Sequence, residues 1–235
     1  YLVPVSSYGS QYLTQIGNTI NPILGKPVFA VFSYPWAGLD PNTGDPQGFV
    51  GGKPSTDYAS ISQSPLDSLN YNGPAQPVYF GAFRNSFQWK NISLSLNISY
   101  KGGYYFRRPS IDYNGLLSSW RGHSDYDLRW QKTGDEKMTT VPSFVYPVDP
   151  SRDAFYQYSQ ILVEKADNIR LEDISLSYEL DKTLWHALPV KHIRIYIYSS
   201  NLAVIWKANK AAIDPYFNNV PRDSKRIALG MNIIF

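Results

Sequence analysis

Hydrophobic and polar positions alternate strictly over the last eleven residues, Lys225 to Phe235. Ile227, Leu229, Met231, Ile233 and Phe235 fall on one parity, and Ala228, Gly230, Asn232 and Ile234 on the other. Successive side chains of a β-strand point to opposite faces, so this segment predicts a strand with one continuously apolar face. The same test along the chain predicts about seven strands: Val28 to Ala37, Pro46 to Gly52, Val78 to Trp89, Asn91 to Gly102, Asp167 to Leu180, His192 to Trp206, and Lys225 to Phe235. The pattern is clearest where Ile92, Leu94, Leu96, Ile98 and Tyr100 oppose Ser93, Ser95, Asn97 and Ser99. A second face of small polar residues suits a water-filled interior better than a packed sandwich core. From His192 to Tyr198, Ile193, Ile195 and Ile197 point one way, and Arg194, Tyr196 and Tyr198 the other. Ile169 and Leu171 have opposite parity to Ile174, Leu176, Tyr178 and Leu180, which predicts a β-bulge near Glu172 and Asp173.

The links between these strands alternate in length. Gly38 to Asp45, Lys90, and Asp181 to Lys191 are short, whereas Lys53 to Pro77, Gly103 to Ala166, and Lys207 to Ser224 are long. A transmembrane β-barrel has short periplasmic turns and longer extracellular loops. With Phe235 on the periplasmic side, every short link falls there and every long one outside. The predicted fold class is therefore all-β, an antiparallel membrane-spanning barrel wall in an outer membrane. The longest link, 103–166, is predicted as one extracellular loop. It holds Tyr113, Trp120, Tyr126, Trp130, Phe144, Tyr146, Phe155, Tyr156 and Tyr158, with Pro142, Pro147 and Pro150 restraining it, and so predicts a folded cap.

Composition strengthens the membrane reading. Charged residues make up 17% of the chain and aromatics 15%, against roughly 25% charged in an average soluble domain. No window approaches the roughly 18 uninterrupted apolar residues of a membrane helix, so residence in a bilayer has to come from strands. A mean hydropathy of -0.32 fits strands that are half polar. Trp36, Trp89, Tyr100, Tyr104, Tyr105, Trp185 and Trp206 lie near strand ends and predict interfacial girdles. A net charge of +3 from scattered Lys and Arg gives no basic stripe for nucleic acid. With no cysteine, disulfides, thiolate zinc sites and thiol catalysis are excluded. The chain begins at Tyr1 with neither an initiator Met nor an export signal, which predicts a piece of a longer protein.

Several segments, taken in order, resemble the C-terminal region of the SusC/RagA family of TonB-dependent outer-membrane transporters, typical of Bacteroidota. They are Ala37-Gly38-Leu39-Asp40-Pro41-Asn42-Thr43-Gly44-Asp45-Pro46, then Arg129-Trp130-Gln131-Lys132-Thr133-Gly134-Asp135 followed by Val141-Pro142. Next come Ile169-Arg170-Leu171-Glu172-Asp173-Ile174-Ser175-Leu176-Ser177-Tyr178, Asn201-Leu202, and the terminal Leu229-Gly230-Met231-Asn232-Ile233-Ile234-Phe235. The chain departs from the family pattern at Glu172-Asp173, where a Lys-Asn or similar pair is common, and near Thr183, where a Pro is missing. The resemblance implies the C-terminal portion of a barrel of about 22 strands, lacking the plug. It implies nutrient uptake, of oligosaccharide or peptide, with a SusD-like surface lipoprotein as lid and with TonB–ExbB–ExbD acting through the missing N-terminal region. It also implies outer-membrane lipid around the wall, and a dimer of transporter–lipoprotein pairs. Phe235, with Ile233, Met231 and Leu229 before it, resembles the signal read by the barrel assembly machinery.

Candidate chemistry is sparse. Asp40-Pro41-Asn42-Thr43-Gly44-Asp45 offers oxygens to a hard cation but lacks the spacing and terminal Glu of an EF-hand, so a tight turn is the default, on the periplasmic side by the resemblance. Asp135-Glu136 and Glu172-Asp173 are adjacent carboxylates, whereas glycosidase chemistry needs two held roughly 5 to 10 Å apart across a sugar. A solvated loop pair and a bulge or interior pair are the expected roles. His123, His186 and His192 are isolated, and no Ser or Cys sits in a nucleophile-elbow context. No catalytic, cofactor or metal residue is assigned, and no enzyme activity is expected. Two rival readings remain: a soluble secreted glycan-binding β-sandwich, and a SusC-like barrel recruited as a structural subunit of an envelope complex.

Overall fold

The computed structural model describes residue 13 and residues 23–182, 185–211, 213–217 and 221–235. Tyr1 and Thr183 lie outside the described residues. Contacts divide the chain into two compact units, Tyr1–Gln76 with Tyr104–Lys165, and Pro77–Gly103 with Ala166–Phe235.

The second unit is a single antiparallel sheet. In chain order its strands are β6 (Tyr79–Trp89), β7 (Ile92–Gly102), β10 (Asn168–Asp181), β11 (His192–Lys207) and β12 (Arg226–Ile234), and they lie in the order β12-β11-β10-β7-β6. These are five of the seven predicted strands, with ends within about two residues. Register keeps the apolar parity on one face throughout: Phe87 pairs with Leu94, Leu94 with Leu176, Leu176 with Ile197, and Ile197 with Leu229. A one-residue slip would move every one of these to the other face, so the alternation itself specifies the register. The bulge is present: pairing shifts between Leu171 and Asp173 on both edges of β10, and Asn201 opposite takes a left-handed φ of 56°. The β6–β7 turn is two residues, with Lys90 at φ 52° supplying the twist that a tight hairpin needs. Two glycines each face a ring on the next strand: Gly81 pairs with Tyr100 and lies under its ring, as Gly230 does with Tyr196.

The other two predicted strands belong elsewhere, so among the described residues the large sheet has five strands and not seven. Within Val28 to Ala37 only β1 (Ala30–Ser33) is strand, and it pairs with β5 (Asn70–Pro74) in the first unit. Within Pro46 to Gly52, β3 (Pro46–Val50) is the centre of a small meander between β2 (Gly38–Leu39) and β4 (Lys53–Ser55). All four residues of β1 are buried, so it is a core strand and not half of a two-faced wall. The turn 38–45 therefore joins two strands of the first unit and is no link of the wall. Among the wall's own links the alternation holds: the short ones, at 90–91 and 182–191, share an end with Phe235, and the long ones, 103–167 and 208–225, leave the other end.

The first unit takes in residues 104–165 of the predicted loop 103–166 together with residues before 77. Its helices α1 (Tyr58–Ser62), α2 (Tyr113–Ser119) and α3 (Pro150–Gln157) are each started by an Asp side chain accepting from a first-turn amide, from Asp57, Asp112 and Asp149. Pro150 at the start of α3 costs no hydrogen bond there. A third small sheet pairs β8 (Tyr105–Arg107) with β9 (Val163–Lys165). The core is aromatic: Phe155 lies 5.5 Å from Tyr34, 5.7 Å from Tyr58 and 6.2 Å from Trp36 in a stacked pair.

Candidate functional site

The two faces of the five-stranded sheet are the functional feature. On the apolar face Phe83, Phe87, Ile92, Leu176, Ile195, Ile197, Ile227, Leu229 and Met231 are all exposed, Ile227 to 78%. Within this unit no second sheet covers them among the described residues. Monomeric soluble proteins rarely leave an apolar patch of more than a few hundred Å² open. Exposed rings mark both ends of this face. Tyr100 and Trp206 flank Ile169 at the end with the long links, and Trp89 stands at the end with the short ones. From Trp89 to Gly81, the level of Tyr100, is eight residues, about 27 Å of strand, close to the ~25 Å apolar band of a barrel once tilt is allowed for.

The girdle expectation holds in position for Trp89, Tyr100 and Trp206, and Trp185 is exposed on a short link. It fails for three others. Trp36 packs against Phe155 and Tyr156, Tyr104 is buried, and the Tyr105 ring covers Gly73. All three pack within the first unit, Tyr104 buried and Trp36 and Tyr105 half-buried, because a ring just past a strand end packs inward wherever the chain turns into a folded body.

The opposite face is polar and internally bonded. Arg84 Nη2 lies 3.2 Å from Asp173 Oδ2, which also accepts from Asn97 Nδ2 at 2.9 Å. Ser99 Oγ donates to Glu172 Oε1. Neighbouring residues of a regular strand point to opposite faces, but the bulge turns Glu172 and Asp173 to the same side, where both meet polar-face partners. Arg194 donates to Ser177 Oγ at 3.2 Å and shares this face with Tyr196 and Tyr198, as the parity predicted. Arg170 carries a contact that the sequence did not single out, to Asp214 in the β11–β12 link. The only signal for it was an Asp-Pro step ahead of two adjacent rings, Tyr216 and Phe217.

In the first unit, segments distant in sequence meet. The 40–45 stretch is a turn: Asp40 Oδ1 accepts from the amides of Asn42 and Thr43 at 2.8 and 3.0 Å. Gly44, at φ 71°, lies directly under the Trp130 ring, leaving no room for a Cβ, and its carbonyl accepts from Ser143 N at 3.0 Å. Arg152, almost fully buried, joins the same group: its Nε donates to Asp45 Oδ1 at 2.7 Å and its Nη2 to Ser143 O and Oγ at 2.8 and 3.0 Å. Asp135 and Glu136 form the expected loop pair, accepting from backbone amides of residues 131, 132 and 134. His123 Nδ1 accepts from Asp125 N at 3.1 Å. Among the described residues no three His, Cys, Asp or Glu side chains group as metal ligands.

Burial pushes the Asp153 carboxyl up to about 6, and the nearby Asp112 carboxylate adds to the rise despite a bond from Asn114 N. A raised carboxyl favours folding in its protonated form, so its contribution is complete below the ordinary value near 3.8 and is lost as pH rises through about 6. Asp153→Asn keeps the acceptor for Asn114 and removes the charge. It is expected to stabilise this unit at pH 8 by on the order of 1 kcal/mol and to have no effect at pH 3.5, read from its melting temperature at the two pH values. Burial pushes the Asp125 carboxyl up as well, but the Ser110 hydroxyl and Arg108 guanidinium reverse this and hold it below its usual range.

No protein-family model matches the chain and no curated protein matches it. Solved structures do. A chain of the RagAB peptide importer in its open-open state is similar over 94% of this chain and 24% of its own, with 20% identity and a TM-score of 0.65. A RagAB peptide transporter structure gives 21% identity, 87% and 22% coverage and a TM-score of 0.60. The closed-closed state gives 21%, with 86% and 22% coverage and a TM-score of 0.60. The chain spans about a quarter of the length of the chains it matches. It has the fold of part of a RagAB importer chain, mostly strand, with an open-edged sheet and no closed barrel among the described residues.

Proposed function

We propose that the chain is the C-terminal wall and loop body of a TonB-dependent outer-membrane importer of the SusC/RagA kind. The observation that carries this is the two-faced sheet: one face apolar, exposed and edged with aromatics, the other polar and self-bonded. Lipid would cover the first, and the second would line the passage. Backbone groups at the free edges of β6 and β12 require partners in a bilayer, which further strands of a longer chain would supply. On this reading Phe235 ends in the periplasm and the first unit is extracellular. A SusD-like lipoprotein caps it, TonB opens the path through segments beyond this chain, and the protein binds and gates without cleaving bonds. The cargo on this reading is an oligosaccharide or a peptide. The glycan-binding sandwich would bury each strand's apolar face against a second sheet, and the exposure of that face favours the barrel over it.

Leu229, Met231, Ile233 and Phe235 lie on one parity, the first three paired across the apolar face to β11, with Phe235 81% exposed beyond the last pair. Deleting Phe235, or Phe235→Asp, is expected to lower the heat-modifiable, folded protein in outer membranes severalfold while total synthesis is unchanged. Equal amounts of folded protein would remove the assembly role.

A further inference from the structure

On the polar face, the link from β11 to β12 does not stay at the end of its own strands. Asp214 reaches Arg170 on β10, and the Tyr216 ring lies 4.0 Å from Lys101 Nζ on β7. These strands are the first and second neighbours of β11. With strands ~4.8 Å apart, the segment extends about 10 Å sideways over the face. Asn209 braces it, donating from Nδ2 to Ile213 O at 2.9 Å and accepting at Oδ1 from Ile213 N at 3.2 Å. Asp214 Oδ1 also accepts from Tyr216 N at 3.1 Å. The Arg170 guanidinium carbon lies 4.5 Å from the Tyr216 ring centre and 5.8 Å from that of Phe217.

The fastening is deep but half made. Arg170 is 4% exposed, yet its Nε and the second carboxylate oxygen of Asp214 are buried without a hydrogen-bond partner among the described residues. A fork-to-fork Arg–carboxylate pair would use both. A buried ion pair with unmet polar atoms adds little net stability, while losing one partner strands a buried charge. Such a contact fixes where the segment sits at small net gain, which suits a contact that is made and broken.

We propose that Ile213–Phe217 is a releasable strap that covers Arg170 and lies over the half-buried Lys101 on the polar face, so that lifting it opens both cations fully to the passage. This rests on the polar face lining a passage. The test is amide exchange of the folded full-length protein, combined with acylation of Lys101 by a water-soluble reagent. In the unaltered protein the amides of 213, 214, 216 and 217 are expected to be protected. In Asp214→Asn they are expected to exchange at least about tenfold faster, with β12 unchanged and Lys101 several times more reactive. Tyr216→Ala strands no charge and is expected to shift both readouts the same way. Coil-like exchange of these amides in the unaltered protein overturns the proposal, as does unchanged exchange in both variants, or faster exchange with Lys101 no more reactive. If the strap behaves as expected but the apolar face proves to be in water, the transport reading fails and the strap stands.

Discussion

Leu176→Arg is expected to abolish folded protein in the outer membrane, while Ser175→Arg, one residue away, assembles. Leu176 sits in the central strand between Leu94 and Ile197 on the apolar face, 45% exposed. Ser175 lies between Ser95 and Tyr198 on the polar face. An arginine on the lipid side near the bilayer midplane costs about 2–4 kcal/mol, and in a water-filled interior close to nothing. Against a total stability of roughly 5–15 kcal/mol, a loss of that size during insertion diverts the chain to degradation. Quantifying the heat-modifiable fraction of both variants checks this. Equal assembly would mean that the two faces see the same solvent.

Arg152→Met is expected to unfold the neighbourhood of the first unit's 40–45 turn while leaving the five-stranded sheet intact. The Arg152 side chain is 6% exposed and holds Asp45 and Ser143 together. The Ser143 carbonyl loses its donor, while Asp45 is 27% exposed and keeps the Thr43 hydroxyl, so the loss falls below the ~3–5 kcal/mol of a fully buried pair. Lysine cannot serve both groups, since its single ammonium lacks the guanidinium fork, so Arg152→Lys is expected to recover little. Protease cleavage within 38–45 and 129–143 should rise in both variants, with β6, β7, β10, β11 and β12 resistant. In the double variant Asp45→Asn, Arg152→Met the loss is expected to be smaller than the sum of the single losses. Additive losses would show that Arg152 does not act through Asp45.

The five-stranded sheet was legible in the sequence because it keeps one face apolar and the other polar. Such strands alternate, so β6, β7, β10, β11 and β12 could be read almost to their ends, and the parity break at Leu171 revealed the bulge. The first unit is not under that constraint. Phe29, Ala30, Val31 and Phe32 are consecutive apolar residues with no period, and a core strand buried on both faces leaves no parity to read. The girdle assignments of Trp36, Tyr104 and Tyr105 failed for a related reason, since an aromatic near a strand end looks the same in sequence whether it meets an interface or a core. The segments 37–46, 129–135 and 141–142 came into view through family resemblance. Their physical basis appeared only in three dimensions, where Gly44 lies under Trp130 and Arg152 ties Asp45 to Ser143. Asp153 gave no signal, and Asp214 only the Asp-Pro step before two rings, because each is a lone carboxylate whose partner is distant in sequence.

The absence of cysteine from the chain allows its central claim to be tested residue by residue. Single cysteines placed in the full-length protein at 227, 229, 231 and 233, and at 228, 230 and 232, can be challenged in native membranes with a lipid-phase maleimide and with a water-soluble one. A lipid-facing wall predicts strict period-two labelling, the first set reacting from the lipid and the second only from water. Equal labelling of both sets, or water-phase labelling of 227, 229 and 231, would contradict it.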